Sequence, residues 1–247
     1  DNWVPDLFIE RVETDGDRAL FDPQAVPHLL DLFAPAFREA YETAEADGLA
    51  IRPVKARVLY SRFLRTPAQP RTRRMTFKDA SNMKCNQTGK EGNVVHLSNL
   101  CTEILEVTSN DETAVCNLGS INLGKHMIER DGVMAFDFEG LGKVVRTAVK
   151  YLDRVIDINF YPTPEAEASN RRWRPVGLGC MGLQDVFFQL RLAFDSPEAL
   201  ELSTRIQEHV YFHAVKTSCE LAKKDGSHAA YGETRASQGD LQYDLWG

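Results

Sequence analysis

Short apolar segments alternate with amphipathic helical segments in the second half of the chain, and this alternation constrains the fold more than any other feature. Residues 138–158 have the clearest helical periodicity, because their apolar side chains recur at spacings of three and four. The apolar, glycine-bearing segment 176–179 is typical of a strand and leads into a predicted helix at 183–190. The last long helix is predicted to begin after Ser196, with proline at its first position, and to stop at Gly226. Strands that alternate with helices indicate an α/β fold with a largely parallel sheet.

The first half of the chain is predicted to be helical at its start and irregular with short strands afterwards. Residues 5–66 are predicted to be mostly helical, with one helix over 34–47 that stops at Gly48 and another over 54–64. Residues 67–74 contain two prolines and three arginines and are interpreted as a solvated loop, with a phosphate-binding patch as the alternative. Three short strands are predicted after this loop, at 75–77, 104–107 and 113–116.

Composition and cysteine usage argue against several classes of protein. The net charge is −7 and no basic face is evident, so the chain is not expected to bind nucleic acid. No apolar run approaches the roughly 18 residues that a membrane-spanning helix needs. The five cysteines are odd in number and form no CxxC pair, which argues against a secreted disulfide framework and a zinc ribbon. We therefore expect a cytoplasmic protein.

Residues Asn99, Cys101 and Glu103 bring an amide, a thiol and a carboxylate close together in sequence. If the segment is extended, alternate residues point the same way, and the three side chains share one face. A thiol between a hydrogen-bonding amide and a potential general base suits a substrate that bears hydroxyl groups. The alternative is a small buried cysteine beside a surface carboxylate, because a pattern this short often occurs by chance.

Longer stretches around this motif closely resemble the large subunit of class I ribonucleotide reductases. The matching stretches between Lys78 and Leu123 include FKDASN, NQTGKEGNVVHLSNLCTEI and AVCNLGSINL. The resemblance continues in DINFYPTPEAEASN, RRWRPVGLGCMGL and GDLQYDLWG, and it covers nearly the whole chain in the same order. NLCTE is followed by a second cysteine in VCNL, fifteen residues after the cysteine of NLCTE, and this combination is highly specific for the family. Residues 67–74 depart from the family pattern.

The resemblance implies a role for each residue of the motif. Cys101 corresponds to the thiol that becomes a thiyl radical and abstracts hydrogen from C3′ of the ribose. Glu103 corresponds to the base that takes the proton of the 3′-hydroxyl, and Asn99 to the amide that orients the ribose hydroxyls. Cys116 corresponds to one of two thiols that reduce C2′ and become a disulfide. The residues expected to bind substrate are Ser98, Asn99, Leu100, Cys101, Thr102 and Glu103.

The resemblance also implies a fold and a reaction. The expected fold is part of the ten-stranded α/β barrel of ribonucleotide reductase large subunits. Residues 1–247 are expected to form a single partial domain, the central part of that barrel, with an N-terminal regulatory region and the C-terminal barrel strands outside the chain. The expected reaction is reduction of ribonucleoside diphosphates to 2′-deoxyribonucleoside diphosphates, which supplies precursors for DNA. The segment alone is expected to be inactive.

The cofactors and partners follow from the same resemblance. No metal or other cofactor is expected to be bound directly by this segment, because the radical is supplied by a separate metal-containing small subunit. The nucleotide effectors ATP and dATP are expected to bind outside it. Thioredoxin or glutaredoxin is the expected reductant, and the full-length large subunit is expected to form a homodimer.

Three alternatives remain open at this stage. The first is an adenosylcobalamin-dependent reductase, although Leu100 and Thr102 favour the two-subunit type. The second is a non-catalytic member of the family, and the third is a thiol-ligated metal site built from Cys85, Cys101 and Cys116. Among the remaining side chains, we interpret Cys85 as incidental, Cys180 and Cys219 as packing residues, and His209 with His213 as a solvated or half-buried pair.

Overall fold

A computed structural model describes residues 2–65 and 74–245. The strands within these residues are β1 (Asn2–Val4), β2 (Asp17–Phe21), β3 (Ala50–Lys55), β4 (Met75–Phe77), β5 (Asn117–Asn122), β6 (Met127–Arg130), β7 (Val133–Phe136) and β8 (Val176–Met181). The helices are α1 (Asp6–Glu13), α2 (Ala34–Ala46), α3 (Ala56–Arg65), α4 (Lys78–Lys84), α5 (Phe138–Ile158), α6 (Pro164–Trp173), α7 (Leu183–Leu190), α8 (Pro197–Asp225) and α9 (Arg235–Gln238). No helix in the described part of the chain is long and apolar enough to cross a membrane.

The chain divides into two compact units, and the first consists of Asp1–Ala114 together with Ala230–Gly247. In this unit β1 pairs with β4 in parallel, and β2 pairs with β3 in antiparallel orientation. Helices α1 and α2 bury their apolar faces against these strands, since burial of apolar side chains is the main source of folding free energy. Two clusters of buried apolar residues lie in this unit, Leu7, Ala19, Val26, Leu29, Phe37, Tyr41 and Ala44 in one and Val4, Phe8 and Ala56 in the other.

The second unit, Val115–Ala229, is built around the long helices α5 and α8. Strand β5 pairs with β8 in parallel, and β6 pairs with β7 in antiparallel orientation. Both long helices begin at side-chain caps: Asp137 accepts a hydrogen bond from Gly140 N–H at 3.0 Å, and Ser196 accepts one from Ala199 N–H at 3.2 Å. Each cap contributes about 1 kcal/mol. The core of the unit contains Ile121, Leu123, Phe136, Leu141, Val145, Val149, Val186, Ile206 and Val210.

The structure confirms the α/β class and most of the predicted helices. The helix predicted over 138–158 has these bounds, and the predicted helices at 183–190 and after Ser196 are α7 and α8. The helix predicted over 34–47 is α2, and Gly48 follows it with φ +71°, the left-handed conformation that ends helices. The short strand predicted at 75–77 is β4.

Several predictions in the first half were wrong or incomplete. Residues 104–107 and 113–116 form no strand. At 104–107 backbone groups bond to side chains instead, and Val107 N–H donates to Gln87 Oε1 at 2.8 Å. Residues 5–66 are less helical than predicted, since they include β2 and β3, and the helix predicted over 54–64 begins only after β3. The sheet is not largely parallel, because two of the four strand pairs of the described residues are antiparallel. The predicted loop at 67–74 lies outside the described residues except for Arg74.

Two buried charged side chains at the start of α4, Lys78 and Asp79, join three segments of the first unit by hydrogen bonds to the backbone. The Asp79 carboxylate accepts hydrogen bonds from the backbone N–H of Asp6 at 2.7 Å and of Ala34 at 2.6 Å, which are the first residues of α1 and α2. Lys78 Nζ donates to the backbone oxygen of Leu29 at 2.8 Å. Burial lowers the pKa of Lys78 to about 8, while the charge of Asp79 opposes that shift. Both side chains are therefore part of the framework of the first unit.

Candidate active site

The NLCTE motif forms a tight turn in the first unit. The backbone N–H of Thr102 donates to the carbonyl oxygen of Asn99 at 3.1 Å, which leaves Leu100 and Cys101 at the corner. Thr102 has φ +66°, in the left-handed region. Asn99 Oδ1 accepts a hydrogen bond from the backbone N–H of Ile104 at 3.0 Å and closes the turn from the other side. The expectation of an extended segment was therefore wrong, because local side-chain bonding to the backbone competes with the extended conformation.

The turn presents its corner to solvent. Leu100 is 80% exposed, and Cys101 is exposed as well. Glu103 is also exposed, whereas Asn99 and Thr102 are half-buried. Because the chain reverses at the corner, these side chains do not share the single face that strand alternation predicts. They are instead brought together by the short turn, with Leu100 and the Cys101 thiol at its corner.

The turn lies at the middle of a longer loop whose two ends are close together. Thr108 N–H donates to the carbonyl oxygen of Val94 at 3.3 Å, so residues 94–108 leave and rejoin the first unit at one place. Both ends of the loop are buried: Val95 is 0% exposed and Val107 is 3% exposed. Loops of this kind are compact and frequently functional. We call residues 94–108 the thiol loop.

Asn82 of α4 anchors the first end of the thiol loop. Its side chain is fully buried, accepts from the N–H of Val95 at 2.8 Å and donates to the carbonyl oxygen of Val95 at 3.0 Å. The second end is held by Gln87 Oε1, which accepts from Val107 N–H, and by the Cys85 thiol, which donates to Leu105 O at 3.2 Å. Sequence reasoning missed these anchors, because hydrogen bonds across 13 to 20 residues leave no periodic signal.

The segment around α9 supports the same anchors within the first unit. Arg235 Nε donates to the carbonyl oxygen of Cys85 at 3.1 Å, and its Nη2 donates to that of Asn82 at 3.3 Å. Gly89 faces this segment so closely that a Cβ atom there would lie 2.5 Å from the backbone N of Arg235. A side chain at position 89 would therefore displace the segment, and the glycine is required for the contact.

The structure assigns the other cysteines to different surroundings. Cys116 lies in the second unit, directly before β5, and is half-buried. None of the five cysteines is in a disulfide. Burial raises the pKa of the half-buried Cys85, which has a structural role in holding the thiol loop rather than an incidental one. Cys180 and Cys219 are exposed, so their interpretation as packing residues was wrong.

The histidine pair of α8 packs against α5. His209 and His213 stack edge to face on α8 with ring centroids 4.5 Å apart, against Gly142 of α5. Burial, together with the charge of His209, lowers the pKa of His213.

In residues 2–65 and 74–245 no three His, Cys, Asp or Glu side chains are grouped as metal ligands would be. The alternative of a metal site at Cys85, Cys101 and Cys116 therefore gains no support.

Comparison with known proteins identifies the protein family to which this chain belongs. The family described as "Ribonucleotide reductase, barrel domain" matches residues 2–247. The chain belongs to the ribonucleotide reductase barrel-domain family, which confirms the resemblance found in the sequence.

Individual relatives agree with that assignment. The chain is 45% identical over 244 residues to the ribonucleoside-diphosphate reductase large subunit of Trypanosoma brucei brucei and 43% identical over 244 residues to that of Danio rerio. It is 42% identical over 246 residues to the ribonucleoside-diphosphate reductase large chain 2 of Saccharomyces cerevisiae. Each alignment covers 99% of this chain but only 28–30% of the relative, so the chain spans less than a third of their length. Nothing in these names supports the adenosylcobalamin alternative.

Proposed function

We propose that this chain is the central part of the catalytic barrel of a class I ribonucleotide reductase large subunit. The whole protein reduces ribonucleoside diphosphates to 2′-deoxyribonucleoside diphosphates. The observation that carries the proposal is the position of Cys101 at the exposed apex of the thiol loop, with Asn99 and Glu103 in the same turn. A loop that is rigid at both ends can hold a reactive thiol at a defined point while a substrate approaches from solvent.

The roles in the turn follow from the chemistry of its side chains. The Cys101 thiyl radical takes a hydrogen atom from C3′ of the ribose, because sulfur supports a radical state that a serine oxygen does not. Glu103 accepts the proton of the 3′-hydroxyl as a general base. Asn99 uses Oδ1 to hold Ile104 N–H, which fixes its amide rotamer and directs the Nδ2 donor away from that bond, toward the ribose hydroxyls. Ser98, Leu100 and Thr102 complete the segment that contacts substrate.

Cys116 is one of two thiols that supply the reducing equivalents. The 2′-hydroxyl leaves as water, C2′ gains hydrogen, and the two thiols are oxidised together to one disulfide. The other thiol of this pair comes from a part of the protein outside this chain. Thioredoxin or glutaredoxin then reduces the disulfide and restores the two thiols for the next turnover.

The partners of the whole protein follow from the same proposal. A metal-containing small subunit supplies the radical, and the large subunit acts as a homodimer that responds to ATP and dATP at sites outside residues 1–247. Residues 1–247 act as one continuous part of the barrel domain, which is supported by the match of a single barrel-domain family over 2–247. A cytoplasmic location is supported by five cysteines that form no disulfide.

Reconstitution tests the proposal. The full-length protein that contains this chain is combined with a metal-containing small subunit, a dithiol reductant and a ribonucleoside diphosphate. We expect 2′-deoxyribonucleoside diphosphate to form, with one disulfide produced for each product when the external reductant is left out. Product that forms equally well without the small subunit, or only when adenosylcobalamin is added, would contradict the proposal.

A further inference from the structure

A chain of buried hydrogen bonds begins at the first residue of β5. Asn117 Nδ2 donates to Asn170 Oδ1 at 3.2 Å and to the carbonyl oxygen of Pro175 at 3.3 Å. Asn170 Nδ2 donates to the hydroxyl of Tyr161 at 2.6 Å, and that hydroxyl donates to the carbonyl oxygen of Ile156 at 2.6 Å. Asn117 is 7% exposed and Asn170 is fully buried. We call Asn117, Asn170 and Tyr161 the amide network.

The amide network holds the start of β5 against three other elements of the second unit. Tyr161 follows α5 and reaches back to its last turn, Asn170 lies on α6, and Pro175 directly precedes β8. Strand ends are where a ladder of backbone hydrogen bonds stops, so they are prone to fraying. Here the first strand residue is held by side-chain bonds, and a buried amide left unpaired would be destabilising.

The Cys116 thiol belongs to the residue directly before β5. Because successive residues of a strand face opposite sides, Leu118 lies on the side opposite Asn117. Leu118 pairs with Gly177 in the parallel register of β5 and β8. A Cβ atom at Gly177 would lie 2.5 Å from Leu118 Cδ2 and 3.4 Å from Cys116 Sγ. Gly177 therefore leaves space for the Leu118 side chain, and the Cys116 sulfur lies beside the same glycine.

We propose that Asn117, Asn170 and Tyr161 are positioning residues for the Cys116 thiol. The inference rests on the proposed function, in which Cys116 is one of the two thiols that reduce C2′. The amide network holds Asn117, the residue next to Cys116, and the Cys116 sulfur lies beside Gly177. Reduction at C2′ requires the sulfur to approach one carbon of the substrate, and a displacement of about 1 Å in such a geometry can cost about a hundredfold in rate.

The experiment compares three variants of the full-length protein. Asn117→Leu removes two hydrogen bonds of the network at nearly constant volume, and Tyr161→Phe removes the hydroxyl alone, which is a milder change that preserves folding. Thr217→Val is the matched control, because it removes one buried hydroxyl of the same unit, which donates to His213 O at 2.7 Å outside the network. Iodoacetamide alkylation of Cys116 is followed by peptide mass spectrometry, with Cys180 of β8 as the internal reference.

Both network variants are expected to speed alkylation of Cys116 by about threefold or more relative to Cys180, because the start of β5 is released. Tyr161→Phe should lower kcat by about tenfold while KM for the ribonucleoside diphosphate stays unchanged. Thr217→Val should change neither quantity. An unchanged Cys116 rate in both network variants, or an equal rise at Cys180, would overturn the inference.

A separate variant distinguishes this outcome from failure of the proposed function. Cys116→Ser tests the role of the thiol itself and is expected to abolish multiple turnover with a dithiol reductant. If Cys116→Ser remains active, the proposed role of Cys116 is wrong, whatever the alkylation rates are. If Cys116→Ser is inactive but Tyr161→Phe alters neither alkylation nor kcat, the role of Cys116 stands and the positioning inference is wrong.

Discussion

Replacing Cys101 with serine in the full-length protein is expected to lower kcat by roughly a thousandfold or more. The hydroxyl of serine is close to the thiol in size, and the position is exposed at the corner of a turn. The folding free energy should therefore change by less than about 0.5 kcal/mol. The loss is chemical, because an O–H group does not provide the hydrogen-atom acceptor that the first step requires. Binding of the ribonucleoside diphosphate, measured by equilibrium dialysis, should change little.

Cys219→Ser is the matched control for this prediction. Cys219 is also an exposed cysteine without a disulfide, but it lies on α8 in the second unit. Its replacement should leave kcat within about twofold of the parent protein. Retention of a tenth or more of the activity in Cys101→Ser would show that another group abstracts the hydrogen atom.

Replacing Asp79 with alanine is expected to lower the free energy of unfolding of the first unit by about 3 kcal/mol or more. Asp79 is 3% exposed and accepts backbone hydrogen bonds at the first residues of two helices, Asp6 of α1 and Ala34 of α2. Its loss leaves two part-buried N–H groups at helix starts without this partner. Ala34 also has φ +51°, a strained conformation for alanine that the bond to Asp79 helps to hold.

Urea denaturation and hydrogen exchange measure this effect. Exchange should become faster at the starts of α1 and α2 in Asp79→Ala, and the urea midpoint should fall. Asp22→Ala is the control, because Asp22 is an exposed carboxylate that accepts one local bond, from Gln24 N–H at 2.9 Å. Equal midpoints for the two variants would show that Asp79 does not join these helices.

The parts of the fold that the sequence predicted correctly are those with local signals. Helix α5 was predicted with its observed bounds because its apolar side chains keep a regular spacing. The pairing of β2 with β3 was missed because neither strand has a long alternating pattern, and β3 includes Pro53. Such strands are defined by their partner rather than by their own sequence.

The candidate site was likewise predicted only where the sequence carries a local signal. The identities of Asn99, Cys101 and Glu103 and their grouping followed from the motif and from the family resemblance. The turn that brings them together did not, because it depends on the Asn99 side chain bonding to Ile104 N–H. The anchoring of the thiol loop by Asn82 could not be inferred either, since a buried asparagine has no sequence pattern of its own. Side-chain bonds to distant backbone are a tertiary property.

The measurement that tests the central claim most directly is hydrogen transfer from C3′ of the substrate in the reconstituted full-length enzyme. Ribonucleoside diphosphate with deuterium at C3′ competes with unlabelled substrate, and a sample labelled at C4′ serves as the control. If the Cys101 radical abstracts the C3′ hydrogen, the C3′-labelled substrate reacts more slowly, the C4′-labelled one shows no primary isotope effect, and Cys101→Ser forms no product from either. Equal rates for the C3′-labelled and unlabelled substrates, together with product formation by Cys101→Ser, would contradict the account.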